Sequence, residues 1–214
     1  VERFTDEFEV LFDATSAKSG PGLFEENSSF LGVAEGMTSV GKNRDEALSL
    51  DRDQFCDEAL RLMGRCPEID PKTLFLIIHA AFEKVLGIKT DKHMIFYHLH
   101  SPDQYAQLNF LRYLPDAKFV MMIREPIQCC ESWIREAFKA NNYNKVCRGI
   151  TQMLFAADQV IFRKHISVGI RLEDLKTNPK ASLRSLCLWL GIEETPSLYQ
   201  MTAQGQKWWG DRTS

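Results

Sequence analysis

The chain has 214 residues, of which 44% are hydrophobic and 26% are charged. This composition supplies enough apolar material for a core and is unlike that of disordered, collagen-like or disulfide-scaffold proteins. A net charge of −3 and a pI near 6.0 argue against a general nucleic-acid-binding protein, which usually carries a basic surface that neutralises phosphates. We therefore expect one main α/β domain that has no nucleic-acid partner and binds any phosphate locally.

The first half of the chain predicts a peripheral region followed by two helices. Residues 1–50 combine an apolar patch with a Gly-Pro-Gly cluster, and we interpret them as a peripheral or lid-like segment. Asp51 is a typical helix start, and apolar residues repeat on one face after it. A second helix is predicted from Pro71, a residue well suited to a first turn, to a stop at Gly87.

The second half alternates strands with helices. Short apolar runs predict strands at 94–97, 118–123 and 166–172, with helices between them and after them. This alternation indicates a mainly parallel sheet with helices on both faces. The run 118–123 is almost entirely apolar, as expected for a strand at the centre of such a sheet.

Polar residues follow two of these strands, at the edge where open α/β sheets place their active sites. His98 and His100 follow the first strand, and Arg124 follows the second, with Ser132 eight residues further on in the next helix. The donor fork of an arginine suits a dianionic phosphate, and a helix N-terminus adds exposed amides and a favourable dipole. Taken alone, an arginine at a strand end is more often part of a structural ion pair.

Residues 114–126 (LPDAKFVMMIREP), continued to Ser132, closely resemble a segment of the sulfotransferases that use 3′-phosphoadenosine 5′-phosphosulfate (PAPS). In that family an arginine at the strand end and a serine eight residues later hold the 3′-phosphate, and these match Arg124 and Ser132. A second resemblance begins at 170–179 (IRLEDLKTNP), with Leu172 where the family usually has tyrosine. Together with the intervening helices, the two segments cover roughly the second half of the chain.

The resemblance implies an α/β fold with a P-loop-NTPase-like parallel sheet flanked by helices and a helical peripheral region. It implies a single sulfotransferase-like domain over residues 1–214, incomplete at both ends, with 1–50 peripheral. The implied reaction is in-line transfer of a sulfuryl group from PAPS to a hydroxyl or amine of a small-molecule or carbohydrate acceptor, without a metal. Positioning and stabilisation of spreading negative charge dominate such transfers, and a base removes the acceptor proton.

The base is expected at His98 or His100, because family members place acceptor-side catalytic groups at this strand end. His100 is preferred, since the His100-Ser101-Pro102 turn aligns with a Lys-Ser-Pro-like turn in many relatives. Either histidine is also compatible with a structural role, and the choice between them stays open.

Two features further along have competing interpretations. Lys207, next to Trp208 and Trp209, either meets a phosphate in a loop that closes over adenine or acceptor, or belongs to a terminus anchored by its tryptophans. Glu173 and Asp174 resemble an acid/base pair, but we interpret them as structural residues that cap the helix beginning near Pro179.

The family's 5′-phosphosulfate loop, an Arg/Lys-Ser-Gly-Thr-like turn after a first strand, does not occur in this sequence. Three hypotheses follow: a sulfotransferase completed by residues outside the sequence, a non-catalytic sulfotransferase-like nucleotide-binding module, or a relative of nucleotide kinases. The third is disfavoured because a Walker-type loop is also missing. The acceptor and the oligomeric state stay open.

Cysteine usage and hydropathy bear on the compartment. Six cysteines lack metal-type spacing, and the adjacent Cys129 and Cys130 are badly placed for a strain-free disulfide. We interpret them as reduced thiols of a cytoplasmic protein. The longest apolar runs fall far short of the ~20 residues that a membrane helix needs, so no span is predicted. The chain opens at Val1 rather than Met, which leaves room for an upstream signal, anchor or structural element.

Overall fold

The computed structural model describes residues 1–15, 31–88, 94–98, 104–159, 161 and 164–210. The chain divides into two compact units, each of which is described by itself. Unit 1 comprises Val1–Ile95 and Tyr199–Ser214, and unit 2 comprises Phe96–Leu198.

The described helices of unit 1 are α1 (Glu2–Glu7), α2 (Leu31–Ala34), α3 (Arg52–Met63) and α4 (Pro71–Val85), and those of unit 2 are α5 (Gln104–Tyr113), α6 (Pro126–Lys139), α7 (Tyr143–Ala157), α8 (Leu172–Thr177) and α9 (Pro179–Leu190). Strands β1 (Phe119–Ile123) and β2 (Ser167–Arg171) belong to unit 2, and the short strands β3 (Thr202–Ala203) and β4 (Gln206–Lys207) belong to unit 1.

The two helices predicted in the first half are confirmed as α3 and α4, and local capping explains where each begins. The Asp51 side chain accepts the Gln54 N–H at 2.9 Å, and the Asp70 side chain accepts the Thr73 N–H at 2.7 Å. These bonds satisfy amides that a helix start leaves without partners. The two helices pack together around a core formed by Phe12, Leu50, Phe55, Ala59, Ile77 and Ala81.

A second, smaller core of unit 1 includes the C-terminal segment. Trp208 packs against the buried residues Ala14, Val40 and Leu48. Its Nε1 donates to the Glu35 carbonyl at 2.9 Å, and Trp209 Nε1 donates to the Gly41 carbonyl at 2.8 Å. These two hydrogen bonds are of the kind expected for an anchored terminus, whereas the Trp209 side chain is exposed.

Unit 2 is built on a parallel pair of strands. β1 and β2 pair from Phe119 with Ser167 to Ile123 with Arg171, and α6 and α7 lie between them in the chain. The expected α/β class is confirmed, with a two-stranded parallel sheet flanked by helices in the described part of unit 2. The strand predicted at 118–123 is confirmed as β1, and the one at 166–172 as β2.

The strand predicted at 94–97 was wrong. Residues 94–98 have no regular secondary structure. The Phe96 side chain is 72% exposed, and among the described residues no strand pairs with this segment. An apolar run becomes a strand only where a neighbour accepts its backbone hydrogen bonds, and local periodicity does not supply that partner.

Candidate functional site at the strand ends

The carboxyl ends of the two parallel strands lie side by side in unit 2. Ile123 pairs with Arg171, so Arg124 leaves β1 next to the last residue of β2. Both arginine side chains are exposed. This edge is where an open α/β sheet presents residues to a ligand, and the sheet register therefore brings two guanidinium groups to it.

Glu173 connects the two strand exits. Its Oε1 accepts the backbone N–H of Glu125 at 3.0 Å, across 48 residues of sequence. The pKa of Glu173 is held below its ordinary value by the Glu125 N–H first, then by its own backbone N–H, and also by the positive charges of Arg171 and Arg124. Glu173 is therefore a carboxylate that stays ionised beside both arginines.

The acidic pair does not cap the helix at Pro179, and that expectation was wrong. The chain forms the separate helix α8 directly after β2, so Glu173 and Asp174 lie in the first turn of α8. The cap of α9 is Asn178, whose Oδ1 accepts the Ala181 N–H at 3.4 Å. Sequence reasoning placed both residues correctly at the strand exit and missed the long-range hydrogen bond of Glu173.

The start of α6 differs from the exposed amides that were expected there. Pro126 occupies the first helical position, and the Glu125 carboxylate accepts the Gln128 N–H at 2.7 Å. The Glu125 N–H donates to the Glu173 carboxylate. Two backbone N–H groups at the N-terminus of α6 therefore already donate to carboxylates. An anion at the strand end would therefore depend on side chains more than on the helix N-terminus.

Ser132 lies on the same face of α6 as Gln128 and the capping residue Glu125. It follows Glu125 by seven residues and Gln128 by four, and this spacing places the three on one face of a helix. The Ser132 side chain is exposed. The hydroxyl is thus presented on the helix face that begins at the exit of β1, where Arg124 lies.

An open cavity of about 530 Å³ lies along β2 and the helices that follow it. Its lining combines aliphatic residues of β2 with polar side chains, among them Arg171, Asp174, Asn178 and Ser185. Arg171 therefore lines this cavity and also lies near Glu173, since Arg171 Nε is 4.0 Å from Glu173 Oε2.

The other predicted site residues are His98, His100 and Lys207. His98 belongs to unit 2 and is exposed in a stretch without regular secondary structure, and His100 lies outside the described residues. Lys207 belongs to unit 1, where its Nζ lies 3.4 Å from the centroid of the Trp209 ring. Arg44, which sequence reasoning did not select, places its Cζ 4.1 Å from the same centroid.

Three further observations concern metals, membranes and thiols. Within the described ranges, no group of three or more His, Cys, Asp or Glu side chains is arranged to hold a metal ion. In the same ranges, no helix has the length and apolar character needed to cross a membrane. All six cysteines are free.

Comparison with known proteins shows the family of the chain. The model of a family described as the sulfotransferase family matches residues 16–196. This match covers most of the chain, and the chain belongs to the sulfotransferase family. Its members transfer sulfuryl groups from a sulfate donor. No curated protein and no solved structure matches the chain.

Proposed function

We propose that the chain is a PAPS-dependent sulfotransferase that transfers a sulfuryl group to a hydroxyl or amine of a small-molecule or carbohydrate acceptor. The S–O bond to the donor phosphate breaks, a bond from sulfur to the acceptor oxygen or nitrogen forms, and adenosine 3′,5′-bisphosphate leaves. The observation that supports this best is the position of Arg124, at the exit of β1 and directly before the helix that presents Ser132.

Arg124 and Ser132 are proposed to hold the 3′-phosphate of the donor. A guanidinium binds a phosphate through two parallel charge-assisted hydrogen bonds, and a hydroxyl adds a third donor. Since carboxylates occupy the Glu125 and Gln128 amides, most of the binding free energy at this end should come from Arg124.

His98 or His100 is proposed as the base that removes the acceptor proton. The described member of the pair, His98, is exposed and belongs to the same unit as Arg124. A neutral imidazole is suited to this role because its ordinary pKa lies close to neutral pH.

Lys207 is proposed to contact a phosphate or sulfate group of the donor. Two exposed cations, Lys207 and Arg44, lie over the ring of Trp209. No ion pair joins either of them to a carboxylate of the described residues. Two like charges held against one ring suit a polyanionic ligand, which would reduce their mutual repulsion. A Lys207→Met variant, which keeps the apolar stem, should then bind the bisphosphate several-fold more weakly.

We propose a P-loop-NTPase-like fold formed as one domain over residues 1–214, with 1–50 peripheral. The parallel β1–β2 pair with intervening helices supports the fold, and the family match, which includes residues of both units, supports the single domain. A cytoplasmic location is proposed because the six cysteines are free thiols.

A non-catalytic nucleotide-binding module is the second candidate function. The observation that favours it is the lack of a phosphosulfate-loop sequence in the 214 residues. Such a module would bind adenosine 3′,5′-bisphosphate through Arg124 and release none from PAPS when acceptors are added.

Calorimetric titration with adenosine 3′,5′-bisphosphate tests the donor site. We expect saturable binding by the wild type, no measurable binding by Arg124→Ala, and unchanged binding by Arg148→Ala, a matched control at an exposed position of α7. Lack of binding by the folded wild type would contradict the donor site. Release of bisphosphate from PAPS with a panel of phenols, amines and sugars then separates enzyme from module.

A further inference from the structure

We propose that Glu173 is a positioning residue of the donor site, which orients Arg124 through the backbone of Glu125. The inference rests on the proposed function, because it assigns Glu173 a role in donor binding by Arg124. Glu173 itself would touch neither the donor nor the acceptor.

The hydrogen bond acts on the peptide unit next to Arg124. Glu173 Oε1 accepts the N–H of Glu125 at 3.0 Å, and this N–H belongs to the peptide plane that also contains the Arg124 carbonyl. Because that plane is rigid, fixing its N–H fixes the direction in which the chain leaves the Arg124 Cα. The guanidinium then starts from a defined backbone, which reduces the conformational entropy lost when it binds a ligand.

The second oxygen of Glu173 supports the same assignment. Oε2 is buried and has no hydrogen-bond partner in the described part of the chain, and Arg171 Nε lies 4.0 Å away, beyond hydrogen-bond distance. A buried carboxylate oxygen is favourable only near compensating charge. Arg171 and Arg124 supply that charge, since both act electrostatically on Glu173. Glu173 thus limits the repulsion between two guanidiniums at neighbouring strand ends.

Glu173 also connects the start of α8 to the start of α6, which are far apart in the sequence. α8 follows β2 directly, and α6 follows β1 after Arg124 and Glu125. The strand pairing ends at Ile123 and Arg171. Beyond this last pair, the hydrogen bond from the Glu125 N–H to Glu173 holds the two strand exits together. A change at Glu173 should therefore affect Arg124 more than it affects the strands.

A double-mutant cycle on the 214-residue chain tests the proposal. Adenosine 3′,5′-bisphosphate is titrated into Glu173→Gln and Glu173→Ala in the wild-type background and in an Arg124→Lys background. Glutamine keeps an oxygen for the Glu125 N–H and removes the charge, whereas alanine removes both. We expect affinity to fall a few-fold for glutamine and about tenfold or more for alanine. Glu193→Ala, at an exposed glutamate of unit 2 outside the cavity lining, is the control and should bind like the wild type.

The cycle separates positioning from a purely structural role. If Glu173 acts through Arg124, the additional loss caused by Glu173→Ala should be much smaller once Arg124 is lysine, whose ammonium lacks the directed donor fork. Equal losses in both backgrounds, or full affinity in a folded Glu173→Ala protein, would overturn the positioning role and leave the donor site intact. Should the wild type itself not bind the bisphosphate, the donor site and the role of Glu173 are both rejected.

Discussion

The two units differ in what holds them together. Among the described residues, nine buried apolar side chains lie in unit 1 and three, Ala137, Ile161 and Cys187, lie in unit 2. Phe55 of α3 is 0% exposed, whereas Phe155 of α7 is 72% exposed. Unit 1 is stabilised mainly by packing, and unit 2 depends more on strand pairing and on hydrogen bonds between strand exits.

Unit 2, which has fewer buried apolar side chains, carries the candidate site at the strand ends. Met122 of β1 is 53% exposed, although strands of parallel sheets are normally covered on both faces. The proposed donor site depends on ligand chemistry at the strand ends, and this chemistry does not require a large core around it. We therefore expect changes in unit 1 to alter stability and changes at the strand ends of unit 2 to alter binding.

Truncating one phenylalanine in each unit should give the largest contrast. Phe55→Ala should lower the free energy of unfolding by about 3–5 kcal/mol, because it leaves a cavity in a packed core. Phe155→Ala should change it by less than about 0.5 kcal/mol, since the side chain is already in water. Urea denaturation of both variants measures the difference, and similar losses would contradict the comparison.

A glycine in each unit provides the next contrast. Gly36 has φ 70°, and a Cβ there would lie 2.1 Å from the Gly210 carbonyl oxygen. Gly191 has φ 75° with open space around it. We expect Gly36→Ala to cost about 2–4 kcal/mol, from left-handed strain and overlap, and Gly191→Ala about 1 kcal/mol, from strain alone.

Thermal denaturation of the two alanine variants is the measurement. A cost at Gly191 equal to that at Gly36 would mean that backbone conformation, and not close packing of the C-terminal segment, limits the residue at Gly36.

Helix caps should show a smaller contrast of the same kind. The Asp51 carboxylate accepts the Gln54 N–H at 2.9 Å, whereas the Asn178 amide oxygen accepts the Ala181 N–H at 3.4 Å. Asp51→Ala should lower the free energy of unfolding by about 1 kcal/mol, and Asn178→Ala by less, because the longer bond is weaker. Chemical denaturation compares the two, and a larger cost at Asn178 would reverse the expected order.

Local signals in the sequence predicted helices α3 and α4 and strands β1 and β2. Asp51 and Pro71 indicate helix starts through their own side chains. The run at 118–123 indicates a strand because it is almost entirely apolar. The run at 94–97 carries a similar signal but forms no strand, since the described residues offer it no partner. Pairing partners are a property of the folded chain.

The candidate site divides in the same way. Arg124 and Ser132 were recognised from a motif within one continuous segment. The hydrogen bond from Glu125 to Glu173 spans 48 residues, and no spacing rule predicts it. The approach of Arg44 to Trp209 is similarly distant in sequence. Tertiary contacts of this kind follow from the register of β1 and β2 or from the packing of the C-terminal segment.

Acid should weaken a carboxylate cap in unit 1 through protonation. The pKa of Asp70 is held below its ordinary value of 3.8, first by the Thr73 side chain and then by the Thr73 backbone N–H, which donate to the carboxylate. A carboxyl group with a lower pKa in the folded state stabilises the fold above its unfolded pKa, and that stabilisation is lost as the pH falls through the folded pKa.

Asp70→Asn tests this effect because asparagine still accepts the Thr73 N–H but does not ionise. The wild type should be more stable than the variant at pH 7, and the difference should disappear as the pH falls below 3.8 and through the lower pKa of the folded state. Urea denaturation across this range measures it, with Asp116→Asn, at an exposed position of unit 2, as the control. A difference that persists in acid would show that the amide and carboxylate caps differ in geometry and not in charge.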